Sequence, residues 1–256
     1  MQYVGNGQLL DELMADDIAE MLDVRGVFDK GYYINPDTGK LERMAAISHD
    51  PPWIYTNPDP ERYCMTYMMM FNSLKIIPKR CLDCWKVVVA PRSFHELMQL
   101  YELEVELSAE EPDAYCKCGI EIRDYVPRHY GGYFYTNSQE AGMARYHQVR
   151  GLVDEKISKE TSVILKRFCT EFELKFGRSD RVVRPAEADR LETTFWQNVT
   201  RSKEAALQPD WVKQHVMAKW MKFAWGRGDK TVTLYNGGVP LYTPSYTYHD
   251  KEKTNG

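Results

Sequence analysis

The chain has 256 residues, of which 43% are hydrophobic and 27% charged, with 37 acidic residues against 33 lysines and arginines. This composition is typical of a globular protein with a sizeable core. It excludes a disordered chain and shows no sign of a nucleic-acid binder that works by bulk charge. The apolar run at residues 67–71 is far shorter than the roughly 20 residues that cross a bilayer, and the N-terminus is polar and acidic. We therefore expect a cytoplasmic protein without a membrane segment.

The first part of the chain alternates helical patterns with turn-rich stretches. Apolar residues at helical spacing predict an amphipathic helix at about 7–23, and a stretch rich in Gly, Pro, Asn and Asp predicts turns and one short hairpin within 26–62. A second helix is predicted over 60–74. The β-branched run at 87–89 predicts a strand, and a Ser-x-x-Glu capping box opens a helix over 93–107.

The middle of the chain carries a strand pattern, an aromatic segment and a helix. Alternation at 120–123 predicts a second strand. The aromatic, glycine-containing segment at 130–135 precedes a helix that Asn137 or Ser138 caps and that continues to about Ile157.

Residues 158–176 fit two patterns. Their apolar side chains alternate in part as in a strand and recur in part at helical spacing. We favour a helix, because Arg167, Glu171 and Lys175 lie four residues apart as ion-pair partners and Gly177 stands where a helix commonly ends.

The last part of the chain predicts two more helices, over 185–199 and 209–225. We expect residues 1–225 to form one metal-containing globular domain, with a boundary at 177–186 as the alternative. Residues 226–256 are expected to form a hairpin around an Asn-Gly-Gly turn and a disordered tail.

Six cysteines are present, and four of them form two close pairs, Cys81-x-x-Cys84 and Cys116-x-Cys118. In a reducing compartment such spacing favours metal binding over disulfides. Four thiolates complete a tetrahedral zinc site with bonds of about 2.3 Å, and Gly119 permits the tight backbone of a metal knuckle. We therefore predict that the four paired cysteines hold one metal centre, although the second pair departs from the usual Cys-x-x-Cys.

The metal and the two remaining cysteines are less defined. Two separated knuckles at strand ends favour zinc, and a [4Fe-4S] or [2Fe-2S] cluster is the alternative. Cys64 and Cys169 lie outside the pairs, and a lone helical cysteine is typical of a core, although Cys169 is a candidate replacement ligand. Disulfide exchange at Cys81 and Cys84 is a weaker alternative, since no strand precedes Cys81 in the thioredoxin manner.

Cations and aromatic residues interleave after the second cysteine pair. Such a pattern is typical of surfaces on which the bases of a single-stranded nucleic acid stack, and it equally describes a sheet with one wet edge. The candidate contacts are Arg128, Tyr130, Tyr133, Tyr135, Arg145 and Arg150.

These observations predict a helix-rich α+β fold in which short strands flank a four-cysteine metal site. The leading function is a non-catalytic binding or regulatory module for a protein or a nucleic acid. The alternative is an iron-sulfur protein with a redox or nucleic-acid-processing role. Whether the protein is an enzyme stays open.

Overall fold

A computed structural model describes residues 32–43, 51–59, 63–201, 208–239 and 241. In these ranges the chain folds into helices and two antiparallel sheets, which confirms the α+β fold class. The helix expected at 7–23 and the tail end expected to be disordered lie outside the described residues. No helix in the described ranges is both long and apolar enough to cross a membrane.

Seven strands in the described ranges build the two sheets. They are β1 (Tyr32–Ile34), β2 (Leu41–Arg43), β3 (Trp53–Asn57), β4 (Trp85–Ala90), β5 (Cys116–Ile120), β6 (Tyr130–Thr136) and β7 (Ser162–Arg167). The strands β1 and β2 form the hairpin that the turn-rich stretch predicts. The other five form one sheet in the order β3-β5-β6-β4-β7, in which every neighbouring pair is antiparallel.

Seven helices lie in the described ranges. They are α1 (Cys64–Leu74), α2 (Lys79–Leu82), α3 (Phe94–Glu110), α4 (Gln139–Lys156), α5 (Thr170–Phe176), α6 (Glu187–Asn198) and α7 (Asp210–Gly226), and a 3-10 helix follows at Lys230–Leu234. Three of them, α3, α4 and α7, pack on one face of this sheet. The N-termini of α3 and α4 confirm the predicted capping residues. Ser93 Oγ accepts from the Glu96 amide at 3.2 Å, and Ser138 Oγ accepts from the Ala141 amide at 3.1 Å.

The two faces of the five-stranded sheet meet different surroundings, because side chains alternate along each strand. On one face Val87, Val89 and Phe134 join the main core with α3, α4 and α7. Lys86 and Tyr133 alternate with core residues along β4 and β6, so their side chains project from the opposite face. This second face adjoins the site described below.

Two smaller clusters lie beside the main core. One joins α1 and α6 to β2 through Leu41, Met70 and Phe195. The other joins α1 to α5 through Phe71 and Phe172, whose rings meet edge to face at 4.9 Å between centroids, and it includes Cys81. The second cluster forms one wall of the candidate site.

The helix expected over 158–176 is wrong in its first part. Residues 162–167 form β7, which pairs with β4 from Ala90↔Ser162 to Trp85↔Arg167. Val163 is buried in the main core and Leu165 packs against that core, and such burial is worth roughly 1.5–3 kcal/mol per side chain. Surface ion pairs spaced by four residues are worth only about 0.2–0.5 kcal/mol. Burial therefore outweighs the helical charge pattern.

Two further expectations are also corrected. The strand expected at 120–123 begins earlier and ends at Ile120, so Cys116 and Cys118 lie within β5 and not in a knuckle ahead of it. Gly119 serves close packing: a Cβ there would lie 2.2 Å from the Pro52 carbonyl oxygen. In the described part of the tail, a turn with positive φ at Gly237 and Gly238 follows the 3-10 helix, in place of the expected hairpin.

Candidate metal centre and the adjoining sheet face

Cys116 and Cys118 point into the main core beneath α3. They are 2% and 0% exposed. The Cys116 sulfur lies 3.4 Å from the Ser108 hydroxyl, and the Cys118 thiol faces Glu104. Burial raises the pKa of both thiols well above the ordinary range, and the nearby Glu104 raises it further. In this arrangement the second cysteine pair consists of neutral core side chains.

The two predicted pairs lie far apart on the sheet. Cys116 and Val87 are both level with Phe134, one on each side of β6, which separates them by roughly 10 Å, or two strand spacings. Cys84 precedes Val87 by three residues, which adds roughly 10 Å along the strand. The sulfurs of one tetrahedral zinc site lie only about 4 Å apart. The structure therefore does not bring these four cysteines together around one ion.

Cys81 and Cys84 form a compact corner between α2 and β4. The Cys84 amide donates to the Cys81 carbonyl at 3.2 Å, which closes the Cys-x-x-Cys turn. Both side chains are buried. A corner of this kind lets two sulfurs converge on the same side, as in thiolate metal sites.

The corner opens on a cavity that contains two further cysteines. Cys64, at the start of α1, and Cys169, just before α5, line the same cavity as Cys81 and Cys84. The space measures about 20 Å³, which is room for one water-sized group. The cavity thus gathers four of the six cysteines from separate parts of the chain.

The backbone beside Cys169 is held in an unusual conformation. Phe168 has φ +72°, in the left-handed region that a non-glycine residue enters at a cost of roughly 1–2 kcal/mol. Phe168 is 0% exposed, and its amide donates to the Cys84 carbonyl at 3.1 Å. Packing and this bond fix the turn between β7 and α5 and hold Cys169 next to the corner. Such strain persists where the surroundings enforce it, commonly at functional sites.

A buried lysine contacts Cys169, one of the residues that line the cavity. Lys86 is 7% exposed, and its Nζ lies 3.6 Å from the Cys169 sulfur. Burial alone would lower the pKa of Lys86, but nearby Cys169 and Cys84 raise it overall. No carboxylate of the described residues forms an ion pair with it. The cysteine sulfurs and the rings of two tyrosines are its polar surroundings.

The thiols are not yet arranged as ligands. Across the described ranges, no three His, Cys, Asp or Glu side chains form a group that could hold a metal ion as they stand. A cysteine that changes between staggered rotamers moves its sulfur by roughly 3 Å. Coordination by the four cavity cysteines would therefore require side-chain rotation around the cavity.

The side of the sheet opposite the main core carries an aromatic face, which we define as Trp53, Tyr55, Lys86, Lys117, Tyr133 and Tyr135. Lys86 and Tyr133 are buried in it, at 7% and 5% exposed. The Lys117 ammonium lies 5.1 Å from the ring centroids of both Trp53 and Tyr55 and 5.7 Å from that of Tyr133. Tyr133 and Tyr135 are stacked at 6.3 Å with an interplanar angle of 18°. Lys86 Nζ lies 5.9 Å from each of these two rings. Lys86 therefore connects the aromatic face to the cysteine cavity.

A network of charges lies at one end of the aromatic face. Glu121 is 3% exposed and accepts two hydrogen bonds from the Arg123 guanidinium, at 2.7 and 2.6 Å. Burial alone would raise the pKa of Glu121, but the Arg123 contacts lower it overall. Arg123 also pairs with Glu171 of α5 at 2.9 Å. Arg128 donates to the Tyr133 hydroxyl at 3.1 Å, which joins the network to the aromatic face.

The structure separates the nucleic-acid contacts that the sequence predicts. Tyr133, Tyr135 and Arg128 lie on or beside the aromatic face. Tyr130 lies in the main core with its hydroxyl donating to Asp229 at 2.7 Å. On α4, Arg145 pairs with a glutamate of the α3–β5 connection, and Arg150 donates to the Thr161 carbonyl at 2.6 Å. The last three side chains therefore have structural partners away from this face.

Sequence reasoning missed several members of the two sites. The sequence does not identify Cys64 as a ligand and indicates Cys169 only as a candidate replacement ligand. Neither belongs to a spaced pair, so only the fold brings them to the corner. Trp53 and Tyr55 alternate with buried Ile54, a short strand signal inside a turn-rich stretch. Lys86 was detectable as a lysine beside a β-branched run, since a charge there indicates a partner.

No protein-family model, curated protein or solved structure matches this chain. The residues of these two sites are therefore the basis for inferring the function.

Proposed function

We propose that this protein binds a metal ion through the thiolates of Cys64, Cys81, Cys84 and Cys169, and that the metal centre stabilises a non-catalytic binding module. This ligand set keeps the predicted Cys-x-x-Cys pair and replaces Cys116 and Cys118. Zinc is the proposed metal, because four thiolates complete its tetrahedral shell.

The observation that carries the proposal is the buried Lys86 beside the cysteine cavity. A buried ammonium is costly unless an anionic group compensates it. Here the nearest such groups are cysteine sulfurs, with Cys169 at 3.6 Å. Thiolates bound to a divalent cation carry a net negative charge, which a neighbouring lysine would stabilise. Neutral thiols would leave that lysine without an anionic partner.

The position of the cysteines in the fold also supports the proposal. They come from the start of α1, from α2, from the turn before β4 and from the turn before α5. One ion at this point would tie these four segments together. A cavity with room for one water-sized group favours a single ion over a cluster of several metal atoms.

The proposal is tested by elemental analysis and a visible spectrum of protein purified without oxygen. We expect one equivalent of zinc, no visible absorbance, and a lower melting temperature after a strong chelator removes the metal. Iron with acid-labile sulfide and visible absorbance would keep the ligand set but replace zinc by an iron-sulfur cluster. Protein without bound metal, with a melting temperature that the chelator leaves unchanged, would overturn the proposal.

A further inference from the structure

The rings of the aromatic face are spaced for unstacked bases. Trp53 and Tyr55 project from the same side of β3, on either side of buried Ile54, and residues two apart in a strand lie roughly 7 Å apart. Bases in a duplex strand follow each other at roughly 3.4 Å, about half that spacing. An extended single strand can place one base on each ring, whereas a stacked duplex cannot. Tyr135 on β6 adds a third partly exposed ring, whereas Tyr133 is only 5% exposed and packs beneath the others.

The surroundings of the rings are more basic than the chain as a whole. Apart from Lys86, whose charge the thiolates of the proposed metal centre offset, four cationic side chains and three carboxylates lie on the aromatic face and its rim, namely Lys117, Lys166, Arg123 and Arg128 against Glu121, Glu171 and Glu173. The whole chain has a net charge of −4. A local excess of positive charge around stacking rings is complementary to a phosphate backbone.

The position of Lys117 indicates how a base would enter. Its ammonium lies over the rings of Trp53 and Tyr55, where cation–π attraction holds it. Both rings are partly exposed. A phosphate group near the face would attract this flexible ammonium, and a base could then stack on the rings it covers.

We propose that the aromatic face binds single-stranded nucleic acid, with two or three bases stacked on its rings and Lys117 on a phosphate. This inference names the partner of the proposed binding module and therefore rests on that proposed function. The contacts themselves involve no cysteine, so the two proposals can fail separately.

The experiment is a fluorescence anisotropy titration of the full chain with a labelled thymidine oligonucleotide of about 16 nucleotides, a length within the usual range for one binding fold. Tyr55→Ala and Tyr135→Ala are each expected to weaken binding roughly 5- to 150-fold, since each removes a stacking ring. Tyr135→Phe keeps the ring and should bind like the wild type. Lys117→Gln should reduce the slope of log affinity against log salt by about one.

Matched controls are a tyrosine and a lysine elsewhere on the surface. Tyr33, on the β1–β2 hairpin, is 38% exposed, and Lys156 lies near the end of α4. Tyr33→Ala and Lys156→Gln should leave the affinity within about twofold of the wild type, because exposed charges away from a site interact weakly with it. Circular dichroism and metal content of every variant show whether the fold and the metal centre are intact.

Three results would overturn the inference: no anisotropy change with wild-type protein at low salt, a duplex of equal length bound as tightly as the single strand, or equal losses in face and control variants. Metal-loaded protein that binds no oligonucleotide would overturn this inference alone. Protein that binds the oligonucleotide but contains no metal would overturn the proposed metal centre and leave the aromatic face as the binding site.

Discussion

Glu104 on α3 is a carboxyl group enclosed in the main core, and Glu104→Gln should make the protein more stable at neutral and alkaline pH. The side chain is 0% exposed. One oxygen accepts from the Thr56 hydroxyl at 2.7 Å, whereas Oε1 has no regular hydrogen bond within the described residues, although the Cys118 thiol is close to it. Burial raises the pKa of Glu104 to about 8, above the usual value of 4.5, and this change is only partly offset by these neighbours.

The sign and the size of the effect follow from proton linkage. Between pH 4.5 and about pH 8 the folded protein binds one proton at Glu104 that the unfolded chain does not. The free energy of unfolding therefore falls as pH rises, by about 1.4 kcal/mol per pH unit. The loss from this group reaches at most about 3 kcal/mol at pH 7 and about 5 kcal/mol above pH 8. A neutral glutamine can still accept from Thr56 and avoids this loss.

Urea denaturation at a series of pH values between 5 and 9 measures the effect. Glu104→Gln should be close to the wild type at pH 5 and more stable at pH 8, by up to several kcal/mol. Glu102→Gln is the matched control, since Glu102 is exposed on the same helix, and its pH dependence should follow the wild type. Equal pH slopes in Glu104→Gln and wild type would refute the argument from burial.

Three further predictions concern packing, capping and charge compensation. Gly119→Ala should destabilise the fold by about 1–3 kcal/mol in urea denaturation, because its Cβ would lie 2.2 Å from the Pro52 carbonyl oxygen. Gly151→Ala is the control: a Cβ there has nothing within 4 Å, so this variant should be neutral or slightly more stable. Asp229→Asn should cost about 1–2 kcal/mol at pH 7. Burial alone would raise the pKa of Asp229, but hydrogen bonds from Thr231, Tyr130 and the Phe94 amide lower it. The greater stability of the wild type over Asp229→Asn should therefore fade as the pH falls below about 4. Lys86→Met should keep the fold by circular dichroism but lose metal to a chelator faster than the wild type; unchanged metal loss would contradict its role beside the thiolates.

Local signals predicted local structure well. Ser93 and Ser138 each accept an amide hydrogen bond three residues on, and that geometry depends only on neighbours in the chain. The valines of β4 and the apolar stripe of α3 likewise predicted elements whose burial follows their own periodicity. Where a local charge pattern opposed a pairing with a distant strand, as at residues 162–167, the distant pairing was stronger.

The candidate site could be predicted only in part, because it depends on strand order. The spacing of Cys81 and Cys84 identifies one corner of a metal site. No spacing rule shows that β6 lies between β5 and β4, which takes Cys116 and Cys118 away from that corner. The same topology brings Cys169 next to Cys84, through the turn at Phe168. The partners of the corner are therefore a property of the fold and not of the local sequence.

Metal analysis of two matched pairs of variants shows most directly which cysteines bind the metal. Cys64→Ser and Cys169→Ser remove cavity cysteines, whereas Cys116→Ser and Cys118→Ser remove buried cysteines of β5. We expect the first pair to lose the bound metal and the second pair to keep one equivalent per folded chain, even where the core change lowers the melting temperature. Metal retained in Cys64→Ser and Cys169→Ser but lost from Cys116→Ser and Cys118→Ser would contradict the proposed ligand set.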